Sequence, residues 1–209
     1  MTTRDVGDHS QGDVGVGPCP EPWPDDPRLD PDLLRDGDRR NVIDSYRYWT
    51  VEAIVADLDT RRHDFGVAIE NWQHDLNIGT VVRTANAFLA REVVIVGRRR
   101  WNRRGAMVTD RYQHIRHVDS IAELAEYAAS AGYVLVAIDN LPGASPLETA
   151  VVARNALFLF GQEGSGLTDE ARAVATQVFS IAQFGSTRSI NAGVAAGIAM
   201  HAWVRQHAV

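Results

Sequence analysis

The chain has 209 residues and a formal net charge of −6, with 21 basic residues, all of them arginine, against 27 carboxylates. That length is sufficient for one hydrophobic core and a short additional segment. A single cysteine, Cys19, excludes an internal disulfide framework and a cysteine-based metal cluster. No apolar run approaches the roughly 18–20 residues of a membrane span, and no apolar signal sequence opens the chain. We therefore expect a cytoplasmic protein with no membrane and no metal partner.

The negative charge is concentrated at the N-terminal end. Residues 1–38 hold ten carboxylates and three arginines, whereas the remaining 171 residues hold 18 arginines and 17 carboxylates. Residues 1–31 also contain six of the eight prolines and few large apolar groups. Such a segment buries too little surface to offset its ordering entropy, so residues 1–40 are predicted to be an acidic, proline-rich, mobile tail. The acidity of the whole chain then says little about the partner of its folded part.

A helical pattern follows the tail. Apolar residues at helical spacing predict a short helix within the segment 41–64, which leads into the main domain. The residues that share its apolar face are Val51, Ile54, Val55 and Leu58.

Apolar strands and amphipathic helices alternate through residues 65–209. The predicted strands are Gly66–Glu70, Val93–Val96, Tyr133–Ile138, Ala156–Phe160 and Val178–Ile181. The predicted helices are Ile78–Leu89, Ile121–Ala131 and Ile190–Val204. This alternation predicts an α/β domain with a mostly parallel sheet and helices on both faces. Ligands of such sheets bind beyond the carboxyl ends of the strands, so the loops there are the first candidates for a site.

The first such loop runs from Glu70 to Gly79 and enters the helix that contains Arg83. Asn77 is a residue type that caps helix N-termini well. One interpretation is a capped helix with a surface arginine. The other places Arg83 beside a pocket, where a guanidinium holds a phosphate or polarises a hydroxyl.

The second loop, Phe160–Leu167, contains three glycines in six residues. Glycine permits positive φ angles and close approach of the backbone to a ligand. Glu163 makes the loop a poor phosphate cradle, because phosphate loops offer amides or a lysine at such a place. A tight strand-to-helix turn is the alternative interpretation.

The third segment runs from Phe179 into the last helix. Ser189 is the predicted cap of that helix, and the small residues after it favour close helix packing. Asn191 falls in the predicted first turn, where asparagine is a poor choice unless its amide has a function.

Together the three segments resemble the motifs of the SpoU (TrmH-like) RNA ribose 2′-O-methyltransferases of the SPOUT class, in their order and spacing. The motifs are Asn-x-Gly-x-x-x-Arg-x-Ala, Gly-x-Glu-x-x-Gly-Leu, and a segment ending in Ser-Leu-Asn-Val before small residues. The resemblance covers roughly residues 65–207. It implies a deep trefoil knot in the C-terminal part of the sheet, a homodimer, S-adenosylmethionine as cofactor and tRNA or rRNA as substrate.

The resemblance also implies roles for individual residues. Arg83 resembles the arginine that contacts the substrate phosphate and helps to activate the ribose hydroxyl. The implied catalytic set is Asn77, Arg83, Glu163, Ser189 and Asn191. The positions implied to hold the cofactor are Gly161, Gly166, Leu167, Ile181 and Ile190. An arginine is a poor base because its pKa exceeds about 12, so we interpret Arg83 as an electrostatic aid that lowers the pKa of the hydroxyl.

An arginine-rich loop follows the second predicted strand. Five arginines surround a tryptophan within seven residues, which fits phosphate contacts and base stacking. The predicted RNA-binding residues are Arg98, Arg99, Arg100, Trp101, Arg103 and Arg104. A solvated surface loop is the alternative.

Two other functions compete with RNA methylation. Gly193 stands where the family usually has serine, so a catalytically weak or silent RNA- or cofactor-binding member is one alternative. A nucleotide-binding dehydrogenase-like domain is the other, but it requires a Gly-x-Gly-x-x-Gly turn after the first strand, and Asn71–Gly79 contains none.

Overall fold

A computed structural model describes residues 15–73, 77–162 and 166–209. Within these residues there are seven strands: β1 (Gly66–Asn71), β2 (Val93–Gly97), β3 (Ile115–Val118), β4 (Val134–Ile138), β5 (Ser145–Pro146), β6 (Ala156–Phe160) and β7 (Gln177–Ser180). The helices are α1 (Pro31–Asp36), α2 (Val51–Asp59), α3 (Ile78–Ala87), α4 (Ile121–Ala131), α5 (Asp169–Val174) and α6 (Ala192–His207). The chain divides into two compact units, Met1–Asp57 and Leu58–Val209.

The first unit has local structure where the sequence predicts a mobile tail. Asp30 caps α1 by accepting hydrogen bonds from the backbone amides of Asp32 and Leu33. Asp38 is fully buried and receives 2.7 Å and 3.0 Å hydrogen bonds from the Arg40 guanidinium and the Tyr48 amide. Burial opposes ionisation of this carboxyl, but the hydrogen bonds from Arg40 outweigh it and lower the pKa of Asp38 to about 2. These polar contacts stand beside buried apolar side chains such as Leu34 and Tyr46.

The second unit is built on one sheet whose strand order is β3-β2-β1-β6-β4-β7-β5. Every neighbouring pair of strands is parallel. The central strands β1 and β6 are buried along their whole length, as expected for a sheet covered on both faces. The predicted parallel sheet is confirmed.

Helices cover both faces of this sheet. One layer of the core contains side chains of α3 and α6, among them Val81, Val82 and the fully buried Trp203. The other layer contains side chains of α4 and α5, among them Leu124 and Ala171. The indole nitrogen of Trp203 donates to the backbone carbonyls of Ala153 and Arg154, so the polar group of this large core residue is satisfied. None of the helices in the described ranges combines the length and the apolar character that crossing a membrane requires.

Two strands were not predicted from the sequence. The edge strand β3 carries Arg116 and His117 between apolar residues, so it lacks a continuous apolar run. The strand β5 is only two residues long. Both lie at the ends of the strand order, where a strand needs apolar neighbours least.

Candidate active site

A cavity of about 580 Å³ lies where β6, β4 and β7 end. These three strands are adjacent and parallel, so the loops that follow them meet at one edge of the sheet. The start of α6 closes the cavity. Its walls are formed by Ile138, Asp139, Asn140, Phe160, Gly161, Gln162, Gly166, Leu167, Arg172, Ile181, Gln183, Arg188, Ser189, Ile190, Asn191, Ala192 and Ala195.

All five positions implied to hold the cofactor line this cavity. They are Gly161, Gly166, Leu167, Ile181 and Ile190. Two of the implied catalytic residues, Ser189 and Asn191, line it as well. Glu163 lies outside the described residues.

Gly161 forms the narrowest part of the loop after β6. A Cβ atom at this position would lie 2.1 Å from the carbonyl carbon of Gly166 and 2.3 Å from the amide nitrogen of Leu167. Gly166 has a φ of 70° and donates its amide to the Gln162 carbonyl at 3.2 Å. Gly161 and Gly166 therefore lie in direct contact with room for backbone alone between them, and both line the cavity.

A pair of asparagines joins the first and third motifs. Asn191 Nδ2 donates a 2.8 Å hydrogen bond to Asn77 Oδ1. Asn191 Oδ1 accepts from the Val194 amide at 3.2 Å, so Asn191 is the N-cap of α6. The amide of Asn191 thus has two functions, capping its own helix and fixing the start of α3.

The cap prediction for Ser189 is wrong, and the one for Asn77 holds only in position. Ser189 does not cap α6, because Asn191 occupies that position. Asn77 stands at the N-terminus of α3, but its side chain makes no cap hydrogen bond and its backbone is already helical, with φ −79° and ψ −19°. Its side-chain oxygen accepts from Asn191 instead.

Arg83 is exposed on α3 and is not one of the residues that line the cavity. One turn before it, the Thr80 carbonyl accepts a hydrogen bond from the Thr84 hydroxyl, and Thr80 packs against α6 at Gly193. Among the described residues, the contact between α3 and α6 links the helix of Arg83 to the cavity.

Glu70 ties the first two motif loops together. It is fully buried at the end of β1, and its carboxylate accepts from the Thr168 amide at 3.0 Å and the Thr168 hydroxyl at 2.7 Å. The indole of Trp72 donates to the same carboxylate at 2.9 Å. The start of the first loop and the end of the second are thereby held together.

Charged and polar residues that the sequence analysis missed also line the cavity. Asp139 accepts from the amides of Asn140 at 2.8 Å and Leu167 at 3.4 Å, and the Arg172 guanidinium lies 3.8 Å from its carboxylate. Arg188, in the segment before α6, also lines the cavity. The available signal was position: Asp139 directly follows β4 at the edge of the sheet where ligands bind.

The cavity contains polar atoms that the described part of the protein leaves unsatisfied. The side-chain oxygen of Gln183 and Nε of Arg172 are shielded from solvent and have no hydrogen-bond partner among the described residues. Buried polar atoms are rarely left unpaired in proteins, so each such atom needs an explanation, and a bound ligand is one. Across the described residues, no group of three His, Cys, Asp or Glu side chains has the arrangement of a metal site.

The arginine-rich loop is exposed but firmly held. The buried side chain of Asn71 donates to the carbonyls of Arg98 at 2.6 Å and Arg100 at 2.9 Å. Trp101 is half-buried and packs against the core, with the Arg103 guanidinium 5.6 Å from its ring centroid. Most of the tryptophan therefore serves packing, and the arginines carry the exposed surface.

Comparison with known proteins shows what the chain is similar to. The family model described as the SpoU rRNA Methylase family matches residues 64–201. An uncharacterized tRNA/rRNA methyltransferase of Mycobacterium ulcerans is 30% identical over 154 residues, which cover 67% of this chain and 46% of that protein. The chain thus spans about half the length of this relative.

Two further relatives have named activities or ligands. The tRNA (guanosine(18)-2′-O)-methyltransferase of Escherichia coli K12 is 26% identical over 152 residues, covering 71% of this chain and 66% of that protein. The crystal structure of the SpoU methyltransferase AviRb from Streptomyces viridochromogenes with the cofactor AdoMet is 26% identical with a TM-score of 0.63. That match covers 72% of this chain and 60% of AviRb.

Proposed function

Since the chain belongs to the SpoU rRNA methylase family, we propose that it is an S-adenosylmethionine-dependent methyltransferase of a ribose 2′-hydroxyl in tRNA or rRNA. The observation that carries this proposal is the cavity at the ends of β6, β4 and β7, because segments of the second and third motifs form its walls. The similarity to an AdoMet-bound SpoU enzyme supports the same ligand.

The residues present fit that cofactor. The backbone loop around Gly161 offers amides and carbonyls at a place where no side chain fits, as an adenine edge requires. Phe160, Ile181 and Ile190 provide an apolar wall, and Asp139 and Arg172 offer opposite charges for the amino-acid end. When bound, S-adenosylmethionine supplies an electrophilic methyl group on a sulfonium.

The chain's own residues would orient and activate the hydroxyl. Methyl transfer to oxygen is an in-line displacement, so alignment of the two reacting atoms and a route for the hydroxyl proton are the main requirements. Asn191, held by Asn77 at 2.8 Å, gives the cavity a fixed amide at its mouth. We assign Arg83 the electrostatic role of lowering the pKa of the hydroxyl, with Asn77 and Glu163 as its polar partners and with Ser189 and Asn191 as the active-site pair of the last motif.

We propose a homodimer because Arg83 does not line the cavity of its own chain. A second copy would bring an arginine to a site that one chain leaves incomplete. The exposed apolar residues at the start of α6, Val194 at 54% and Ile198 at 40% exposure, support a protein contact there. The trefoil knot implied by the resemblance and the cytoplasmic location expected from the sequence remain predictions.

Gly193 does not favour the catalytically silent alternative. It is buried against Thr80, where a Cβ would lie 3.1 Å from the Thr80 methyl, and it does not line the cavity. The close packing of α3 against α6 thus accounts for a glycine at this position without any loss of a cavity hydroxyl.

The test is methyl transfer from labelled S-adenosylmethionine to unmodified total RNA, followed by mapping of 2′-O-methyl positions. We expect incorporation by the wild type and a loss of about 100-fold or more for Arg83→Ala, the size of a removed transition-state contact. Arg154→Ala is the matched control, because Arg154 is an exposed arginine at the opposite end of the sheet that pairs with Asp64. Cofactor binding by the wild type without any incorporation into RNA would contradict the proposal, as would methyl groups found only on bases.

A further inference from the structure

A second cavity, of about 890 Å³, lies along the outer edge of the sheet beside β3, and we name it the edge groove. It is distinct from the cavity at the ends of β6, β4 and β7, with which it shares no residue. The side chains that matter for its chemistry are Arg91, Arg99, Arg103, Arg116, Trp101 and Tyr127. They come from the segments before and after β2, from β3 and from α4. Only the folded chain brings them together.

The edge groove carries an excess of positive charge. Four arginines line it against two carboxylates, Glu92 and Asp110. Glu92 is only 6% exposed, and its oxygens accept from Arg116 and from the hydroxyls of Tyr127 and Tyr133. Asp110 lies 3.5 Å from the Arg103 guanidinium. Both carboxylates are therefore engaged by protein groups. The surface that remains for a ligand is positively charged.

Two of these arginines can contact a ligand, and they differ in how far other protein groups already engage them. Arg99 is exposed and makes no side-chain hydrogen bond or ion pair within the described ranges of the chain. Arg116 is half exposed, with its guanidinium 4.1 Å from the centroid of the Tyr127 ring. Because Glu92 engages only Nε of Arg116 at 3.2 Å, the terminal nitrogens of this guanidinium can donate to an anion.

The groove is held in shape before any ligand arrives. The Asn71 amide fixes the backbone on either side of Arg99 through the carbonyls of Arg98 and Arg100. Burial and the hydrogen bond to Glu92 raise the pKa of Tyr127, so its ring stays neutral beneath Arg116. Arg103 and Arg116 already lie over the rings of Trp101 and Tyr127, so these two cations lose little entropy on binding.

The edge groove follows an unpaired strand edge. β3 is the last strand in the sheet order and pairs only with β2 among the described residues. Its other edge is free to meet an extended ligand with backbone groups between the arginine side chains.

We propose that the edge groove binds the sugar-phosphate backbone of a single-stranded segment of the RNA substrate. Arginine forks match phosphate oxygens, and flat guanidinium and aromatic surfaces accept unstacked bases, which is the combination that single-stranded RNA requires. This inference rests on the proposed RNA methylation. It selects Arg99 and Arg103 from the arginine-rich loop, adds Arg91 and Arg116 from outside it, and leaves out Arg98, Arg100 and Arg104, which do not line the groove.

The test is binding of a fluorescein-labelled, mixed-sequence single-stranded RNA oligonucleotide, followed by fluorescence anisotropy. Arg99→Glu is the main variant, because Arg99 is exposed and its replacement leaves no buried partner unpaired. Arg116→Lys tests the other side of the groove and keeps a cation beside Glu92. We expect losses in RNA affinity of about tenfold or more for Arg99→Glu and about threefold for Arg116→Lys.

Two variants serve as comparisons. Arg154→Glu reverses the same charge at the far end of the sheet and is expected to change RNA affinity less than about twofold. Arg100→Glu alters a neighbour of Arg99 in the same loop, so its loss should be smaller than that of Arg99→Glu. Equal losses for Arg99→Glu and Arg100→Glu, or unchanged affinity for Arg99→Glu, would overturn the edge groove as the binding site, as would a wild type that does not bind the oligonucleotide.

Failure of the groove and failure of the proposed function give different results. If the wild type methylates ribose and Arg99→Glu binds RNA normally, only the proposal for the edge groove fails. If Arg99→Glu loses RNA affinity and the wild type transfers no methyl group, the groove stands and the methyltransferase proposal fails. Affinity for S-adenosylmethionine, measured by calorimetry, should be the same in all variants, because none of the altered residues lines the first cavity.

Discussion

Two sites on one sheet are lined by different kinds of residues. They are the cavity at the ends of β6, β4 and β7 and the edge groove. The cavity combines glycine, alanine and apolar residues with a few polar and charged side chains, and Gly161 and Gly166 are in direct contact. The edge groove is walled by long cations over aromatic rings, and its acids are engaged with protein partners. A small ligand of fixed shape is recognised by a rigid backbone loop, whereas a long polyanion is recognised by repeated charge.

The difference has a consequence for energetics. Binding to a backbone loop depends on packing over tenths of an ångström and responds weakly to salt. Binding to a row of arginines depends on counterion release and responds strongly to salt. Steric and ionic perturbations should therefore separate the two sites.

The largest effect is expected from Gly161→Ala. The added methyl group would lie 2.1 Å from the Gly166 carbonyl carbon, so the loop must open and the cavity must change shape. We expect S-adenosylmethionine affinity to fall about 100-fold by calorimetry, since overpacking costs up to about 3 kcal/mol, with RNA affinity nearly unchanged. Gly185→Ala is the control, because a Cβ there has nothing within 4 Å. Normal cofactor affinity in Gly161→Ala would remove the backbone loop as a binding element.

Salt should distinguish the two sites in the wild type. If the four arginines of the edge groove each contact a phosphate, raising salt from about 50 mM to about 200 mM should weaken single-stranded RNA binding about 50-fold, at a slope of about −0.7 per contact. S-adenosylmethionine affinity should change less than about twofold. Parallel anisotropy and calorimetry titrations measure both. Equal salt dependence of RNA binding and S-adenosylmethionine binding would contradict the expected difference between the two sites.

Asp139→Asn tests whether charge matters inside the cavity at all. The Asp139 carboxylate accepts from the Leu167 amide, and Asp139 lines the cavity. The substitution keeps an acceptor for Leu167 but removes the negative charge that attracts a cationic ligand. We expect S-adenosylmethionine affinity to fall about tenfold, or about 1.4 kcal/mol. Asp64→Asn, at the opposite end of the sheet, is the matched control. An unchanged Kd for S-adenosylmethionine in Asp139→Asn would mean that the cavity recognises its ligand by shape alone.

The smallest expected effect concerns the helix that closes the cavity. Asn191→Ala removes the cap of α6 and the hydrogen bond to Asn77, so the free energy of unfolding should fall by about 1 kcal/mol in denaturant titrations. Ser189→Ala should leave stability unchanged, because Ser189 makes no cap hydrogen bond in α6. Greater destabilisation by Ser189→Ala than by Asn191→Ala would reverse this assignment.

The last motif shows where local pattern reading reaches its limit. Ser189 and Asn191 are both good caps by residue type, and the sequence does not say which of the two begins α6. The Asn77 side chain decides, because it receives Nδ2 of Asn191 across a separation of 114 residues and leaves Oδ1 to cap the helix. No local rule contains that partner.

The edge groove shows the same limit on a larger scale. The sequence predicts an RNA surface at the arginine-rich loop, but it predicts neither β3 nor the place of Arg116 beside that loop. Parallel pairing of β2 with β3 brings Val94 opposite Arg116, and α4 places Tyr127 beneath the guanidinium. Strand neighbours are set by tertiary packing, so a basic residue on an edge strand acquires its role only in the folded sheet.

The sequence by itself determined the parallel α/β domain, the membership suggested by the three motifs and the loops that carry the cavity, because apolar periodicity and residue spacing are local properties. Only the tertiary structure decided the strand order, the pairing of Asn77 with Asn191, the place of Asp139 in the cavity and the assembly of the edge groove. The physical reason is that each of these depends on contacts between residues far apart in the chain. Such contacts form only when the buried faces of sheet and helices pack together.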